Sequence, residues 1–146
     1  MMITMMTASH VPQIAELEKL CFNDPWSENS IASELDNRLS CWLVALDDDK
    51  VIGYVGSQTV LGETDMMNIA IHPDHRKRGI ATELIERLIQ ALKERDSHSL
   101  MLEVRASNEP AKSLYTKLGF ELVGVRKNYY RNPKEDALIL RKEWSL

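Results

Sequence analysis

His72-Pro73-Asp74-His75-Arg76-Lys77-Arg78-Gly79-Ile80-Ala81 joins a strand-like run ending at Ile71 to an amphipathic helical pattern. Gly79 and the small Ala81 let backbone come close to a bound group, and basic side chains surround it. The helix start turns free N–H groups and the positive end of its dipole outward. Together these features make a pyrophosphate cradle. The run lacks the Gly-Lys-Ser/Thr of a nucleotide-hydrolysing P-loop and the triple glycine of a dinucleotide fingerprint, which disfavours ATP hydrolysis and hydride transfer. Taken alone the run is equally a solvated basic turn, and its place at a strand-to-helix junction is what favours an anion site. His72 and His75 flank Pro73 with no third ligand beside them, so no metal is expected. Cys21 and Cys41 have neither Cys-x-x-Cys spacing nor an adjacent His and Asn/Asp pattern. That argues against a zinc ribbon, a dithiol redox site and a covalent acyl-cysteine route.

These residues must be held by a fold that 146 residues can build. With 44% hydrophobic and 27% charged residues, no repeat and no linker, residues 1–146 are expected to form one domain. A domain of this size buries roughly two thirds of its unfolded surface, enough for a core without staples. Lys plus Arg at 18 against Asp plus Glu at 22 gives a net charge of −4, the wrong balance for gripping nucleic acid. The local basic run instead suits a small polyanion. The first ten residues lack the pattern of a secretory signal and no 18-residue apolar run occurs, so no membrane partner is expected and a cytoplasmic location is.

The order of elements follows from periodicity. A first strand is expected over Ile3 to Ala8, then a helix with Val11, Ile14, Leu17 and Cys21 recurring. Ser27 caps a short helix that buries Ile31 and Leu35. Cys41 to Leu46 and Val51 to Val60 form a hairpin, and Glu63 to Ile71 a further strand after Gly62. From Ala81 to Arg95, Leu84, Ile85, Leu88, Ile89 and Leu92 share one helical face. The strand Leu100 to Val104 follows, giving a right-handed crossover between parallel strands. Asn108 caps another helix that has Pro110 in its first turn and stops at Gly119. Strands over Glu121 to Arg126 and Ala137 to Lys142 close an α+β (mixed α/β) fold, mostly antiparallel with one parallel pair in its middle.

The segments Asn68-Ile69-Ala70-Ile71-His72-Pro73, Arg76-Lys77-Arg78-Gly79-Ile80-Ala81, Leu102-Glu103-Val104-Arg105-Ala106-Ser107-Asn108, with Ala111, Leu114-Tyr115 and Leu118-Gly119-Phe120, resemble the GCN5-related N-acetyltransferase superfamily. More narrowly, and including Pro25-Trp26-Ser27, Asn128-Tyr129-Tyr130 and Glu135-Asp136-Ala137, the chain resembles the RimI-type ribosomal-protein-alanine N-acetyltransferases. Ala81 stands where many relatives carry glycine. The resemblance implies acetyl-CoA, its pyrophosphate on the backbone of Lys77, Arg78, Gly79, Ile80, Ala81 and Thr82, its pantetheine arm along Ile69, Ala70 and Ile71. Such an arm pairs with a strand edge by strand addition, which requires the two parallel strands to splay beyond Ile71. Asn108 is carried over as a further cofactor contact besides being a cap.

Acetyl transfer needs a neutral amine, a place for its proton and help for the departing thiolate. The resemblance makes Glu103 the general base and Tyr115 the proton donor, in direct transfer within a ternary complex. From the residues alone, strand alternation equally makes Glu103 an outward-facing residue, and Tyr115 packs in a core as readily as it does chemistry. Trp26, Tyr129 and Tyr130 frame the acceptor or simply pack together. Met66 and Met67 read as core and strand-surface residues. The implied acceptor is the N-terminal alanine of small-subunit ribosomal protein eighteen, a basic partner whose tail Glu63 and Asp65 would attract. The alternatives are another protein N-terminus, a small amine, or a CoA-binding module without catalysis.

Overall fold

In the computed structural model, which describes residues 1–144, the chain opens with strand β1 (Met2–Met5). Ser145 and Leu146, the end of the expected domain, lie outside the described residues. A 3-10 turn over Ala8–His10 leads into helix α1 (Val11–Cys21), with Pro12 in its first turn, where no N–H is needed. That turn ends the first strand at Met5, short of the expected Ala8. Ser27 caps α2 (Glu28–Ser33) by accepting the Ser30 N–H at 3.1 Å. The hairpin of β2 (Ser40–Asp47) and β3 (Lys50–Val60) closes through Asp48 and Asp49, and β4 (Glu63–Ile71) follows a turn at Leu61 and Gly62. Helix α3 (Ile80–Glu94), β5 (Ser99–Arg105), α4 (Glu109–Lys117), β6 (Glu121–Tyr130) and β7 (Glu135–Glu143) complete the chain.

The seven strands form one sheet in the order β1-β2-β3-β4-β5-β7-β6, antiparallel except for β4 and β5. Alternation along β2 divides two cores. Cys41, Leu43 and Ala45 join Leu84, Leu88 and Leu92 of α3 and Tyr115 of α4. Trp42, Val44 and Leu46 face the opposite side, with Ile14 and Leu17 of α1 and Ile31 of α2. Leu35 departs from the expectation, being 39% exposed. The chain tightens after α2 into a 3-10 turn over Glu34–Asp36, and three residues per turn shift the phase of the face. Glu34 takes the inner place instead, where its carboxylate accepts from Ser40 Oγ at 2.7 Å, Gln58 Nε2 at 3.1 Å and Asn37 Nδ2 at 3.1 Å.

The parallel pair is short. Glu63, Thr64 and Asp65 face Ser99, Leu100 and Met101, and beyond that point β4 and β5 part. The strands therefore open six residues earlier than the expected Ile71. The cause is a bulge: Ser57 of β3 faces Met66 and Gly56 faces Asn68, which leaves Met67 as the extra residue of β4. A bulged strand bends and twists more strongly. β4 is thereby turned away from β5 while it stays paired with β3 through Ile71.

Candidate active site

The opened edge of β4 carries peptide groups with no strand to receive them. His72 N–H donates to Ile52 of β3 at 2.8 Å, so by alternation the peptide groups of Ile69 and Ile71 face the gap. Side chains hold them there. Ile69 N–H donates to Asn68 Oδ1 at 3.1 Å, and Ile71 C=O accepts from Arg76 Nε at 3.2 Å. At the end of this edge Lys77 and Gly79 both have positive φ, 64° and 77°. The first helical hydrogen bond of α3 runs from Glu83 N–H to Gly79 C=O at 3.1 Å, and no side chain caps the helix. The N–H groups of Ile80, Ala81 and Thr82 are thus left for an external acceptor. A Cβ at Gly79 would meet nothing within 4 Å, which shows how open the cradle is.

A cavity of about 760 Å³ runs from this cradle along the strand edge. It brings together Ile69, Ala70, Ile71, Lys77, Gly79, Ile80, Ala81, Thr82 and Asn108, with Tyr115 at its inner end. Arg78 is not in its lining; its guanidinium lies 3.4 Å from His75 Nδ1. Asn108 Oδ1 accepts the Ala111 N–H at 3.2 Å, the expected cap, while the residue also borders the cavity. Free N–H groups at one end and a lone strand edge beside apolar Ile69, Ile71 and Leu114 at the other fit an elongated ligand with a polyanionic head and an amide-bearing arm. Among the described residues no group of three or more His, Cys, Asp or Glu side chains is gathered as a metal site.

A second cavity of about 640 Å³ shares Cys21, Phe22, Ile69, Asn108, Ala111 and Tyr115 with the first. Glu103, Trp26, Met66, Met67, Tyr129 and Tyr130 border it. Glu103 is partly buried, with Oε2 3.3 Å from Arg126 Nε. Tyr115 is 4% exposed, and among the described residues its hydroxyl finds only Met66 Sδ, at 3.9 Å. Burial, and next the neighbouring Tyr130, raise its phenol above the ordinary value. Tyr130 is pushed up to about 12, by burial first and then by the charge of Glu103. Arg105 lies 4.3 Å over the Tyr130 ring and donates to the carbonyls of Arg131 at 3.3 Å and Pro133 at 3.2 Å. It thereby fixes the connection from β6 to β7, whose Arg131 borders the second cavity. The carboxylate of Glu135 accepts the Ser107 N–H at 2.6 Å and pairs with Arg105; the Ser107 hydroxyl first, then that N–H and Arg105, hold it below the ordinary glutamate value.

Several of these roles had no plain sequence signal. Arg126 reaches Glu103 only because β7 lies between β5 and β6. Glu18 did carry one: it shares the helical face of Val11 and Ile14, so a carboxylate stands at a core position. Glu63 and Asp65 border neither cavity. Glu63 pairs with Arg141 at 3.2 Å, and burial, then Glu63, raises the carboxyl of Asp65.

Residues 11–120 match the model of the acetyltransferase (GNAT) family. The Salmonella typhimurium LT2 ribosomal protein bS18-alanine N-acetyltransferase is 37% identical over 141 residues, 94% of each chain. The crystal structure of the ribosomal-protein-S18-alanine N-acetyltransferase from Escherichia coli superposes with a TM-score of 0.91 at 33% identity, covering 99% of this chain and 94% of that one. An aminoglycoside 6'-N-acetyltransferase complexed with coenzyme A shares the fold, with a TM-score of 0.84 at 18% identity over 98% of this chain and 97% of its own. The splayed strands, the uncapped helix start and these likenesses agree: the chain belongs to the GNAT family of acetyltransferases.

Proposed function

We propose that this protein acetylates the N-terminal alanine of ribosomal protein bS18, using acetyl-CoA in a ternary complex in the cytoplasm. The observation that carries the reading is the meeting of two cavities at Tyr115 and Asn108, one suited to a cofactor and one to an incoming chain end. The names of the Salmonella and Escherichia coli relatives support the acceptor. Bound acetyl-CoA supplies the acetyl group as a thioester. The N–H groups of Ile80, Ala81 and Thr82 bind the pyrophosphate, with Lys77, Arg78 and Gly79 shaping the turn before them. The peptide groups of Ile69 and Ile71, with Ala70 between them, align the arm, and Asn108 borders its reactive end. Along this edge the ligand takes the place of Arg76 at Ile71 C=O.

On the acceptor side, an α-amine with a reference pKa of about 8 is neutral far more often at cellular pH than lysine at about 10.4. Glu103 receives the amine proton at its carboxylate, directly or through one water, with Arg126 beside it. Tyr115 keeps its proton because burial holds its phenol up; it would donate that proton to the sulfur as the C–S bond breaks and the bond from the amine nitrogen to the acetyl carbon forms, and would take a proton back from solvent once the thiol has left. Trp26, Tyr129 and Tyr130 frame the chain end.

Mass spectrometry of short peptides incubated with acetyl-CoA tests the reading. An alanine-first bS18 peptide should gain one acetyl group on its free N-terminus, while lysine-only and N-blocked controls should gain none. Glu103→Gln and Tyr115→Phe should each lower kcat by about 100-fold. Acetylation of small amines alone would move the acceptor assignment. Binding of CoA without any acetylation would leave a silent module.

A further inference from the structure

Glu18 is a carboxylate at a core position, 1% exposed, and burial raises its carboxyl above the ordinary glutamate value. A charge so enclosed persists only when its oxygens are satisfied. Here each oxygen holds a different segment. One accepts the Trp26 N–H at 2.8 Å, in the loop between α1 and α2, and the other accepts Asn68 Nδ2 at 2.6 Å. A carboxylate only accepts, so Asn68 must turn its amide nitrogen to Glu18 and its oxygen to Ile69 N–H. Asn68 directly follows the bulged Met67, at the place where the sheet opens. Phe22 and Trp26, at the two ends of the tethered loop, both border the second cavity.

We infer that Glu18 is a positioning residue for acetyl transfer, tying the loop that walls the acceptor cavity to the point where β4 leaves β5. It touches none of the reacting groups, and it acts by fixing the distance between acceptor wall and cofactor edge. The inference rests on the acceptor reading given above. The hydrogen-bond logic dictates the test. Glu18→Gln keeps an acceptor for Trp26 but sets an NH2 against the NH2 of Asn68, so either the contact opens or Asn68 turns and leaves Ile69 N–H facing a donor. Asn68→Asp alone sets two carboxylates together. The double variant Glu18→Gln/Asn68→Asp closes the network again, with the charge moved from one side to the other.

Steady-state kinetics with the alanine-first peptide, calorimetric CoA affinity, and amide exchange of the 22–26 segment in the ligand-free protein are measured for wild type and these three variants. Glu18→Gln should raise the peptide KM about tenfold with kcat and CoA affinity changed less than about twofold, and the double variant should recover most of the loss, as coupled neighbours do. Exchange in the 22–26 segment should quicken in the single variants and slow again in the double. Wild-type KM and exchange in Glu18→Gln, or a double variant as impaired as Glu18→Gln, overturns the inference. If Glu18→Gln does not fold, the double variant decides: folded with near-wild-type KM supports the inference, unfolded or still raised in KM overturns it. A wild type inactive on the peptide would instead sink the proposed acceptor, and the exchange comparison would still decide the role of Glu18.

Discussion

Tyr115 shows how placement sets the range over which a phenol keeps its proton. Two turns of α4 carry it from the Asn108 cap to the inner end of both cavities, where its hydroxyl meets only a thioether. Burial holds the phenol above its ordinary value, and Tyr130 nearby is held at about 12. A raised pKa keeps an acid protonated, and able to donate, to higher pH. The proposed reaction should therefore speed up as the α-amine loses its proton near pH 8 and then stay level through about pH 10. A pH–rate profile of kcat/KM checks this, and a falling limb between about pH 9 and 10 would remove Tyr115 as the proton donor. Glu103 is the harder residue to read from sequence. Alternation along β5 turns it away from Leu102 and Val104, an outward-facing position, and only the open sheet makes outward mean into a cavity.

At the scale of elements, Gly56 belongs to the device that opens the sheet. It faces Asn68 beside the bulge, and a Cβ there would overlap the Trp42 indole. That ring is held at 5.4 Å from Trp26 and 5.8 Å from Tyr54, so it has little room to yield. Gly56→Ala should destabilise the protein by about 1–3 kcal/mol, as overpacking does, measured by urea denaturation; an unchanged midpoint would contradict the packing described. Most elements were legible. The face of α3, the caps Ser27 and Asn108, and the β2–β3 hairpin rest on signals confined to neighbouring residues. What was not legible depends on partners far along the chain. Met67 bulges with no glycine or proline in its own strand to announce it, Leu35 turns outward because Glu34 finds three donors, and Arg126 meets Glu103 across an intervening strand. The turn at residues 77–82 was readable as an open helix start because its geometry is local.

For the whole molecule, three residue pairs between β4 and β5 are the seam of an otherwise continuous sheet. A ligand lying in the gap past Asp65 would rest on both flanks and bind only the folded state. CoA at about 100 times its dissociation constant should add about 2.7 kcal/mol of stability. That corresponds to a rise of about 5 to 10 °C in Tm for a chain of this size. Thermal melts with and without CoA read it directly, and an unchanged Tm would mean that the gap is not its site. In the proposed binding mode the grip on such a ligand would fall mostly to peptide groups, those of Ile69, Ile71 and the start of α3, and peptide groups do not mutate. Side chains here can drift while the site stays whole, so long as the strand still bends and the helix still begins where it does. A third of the positions shared with the Escherichia coli structure, at a TM-score of 0.91, is what such freedom permits. A binding site of this make is inherited with the shape of the chain, and it can outlast most of the residues that surround it.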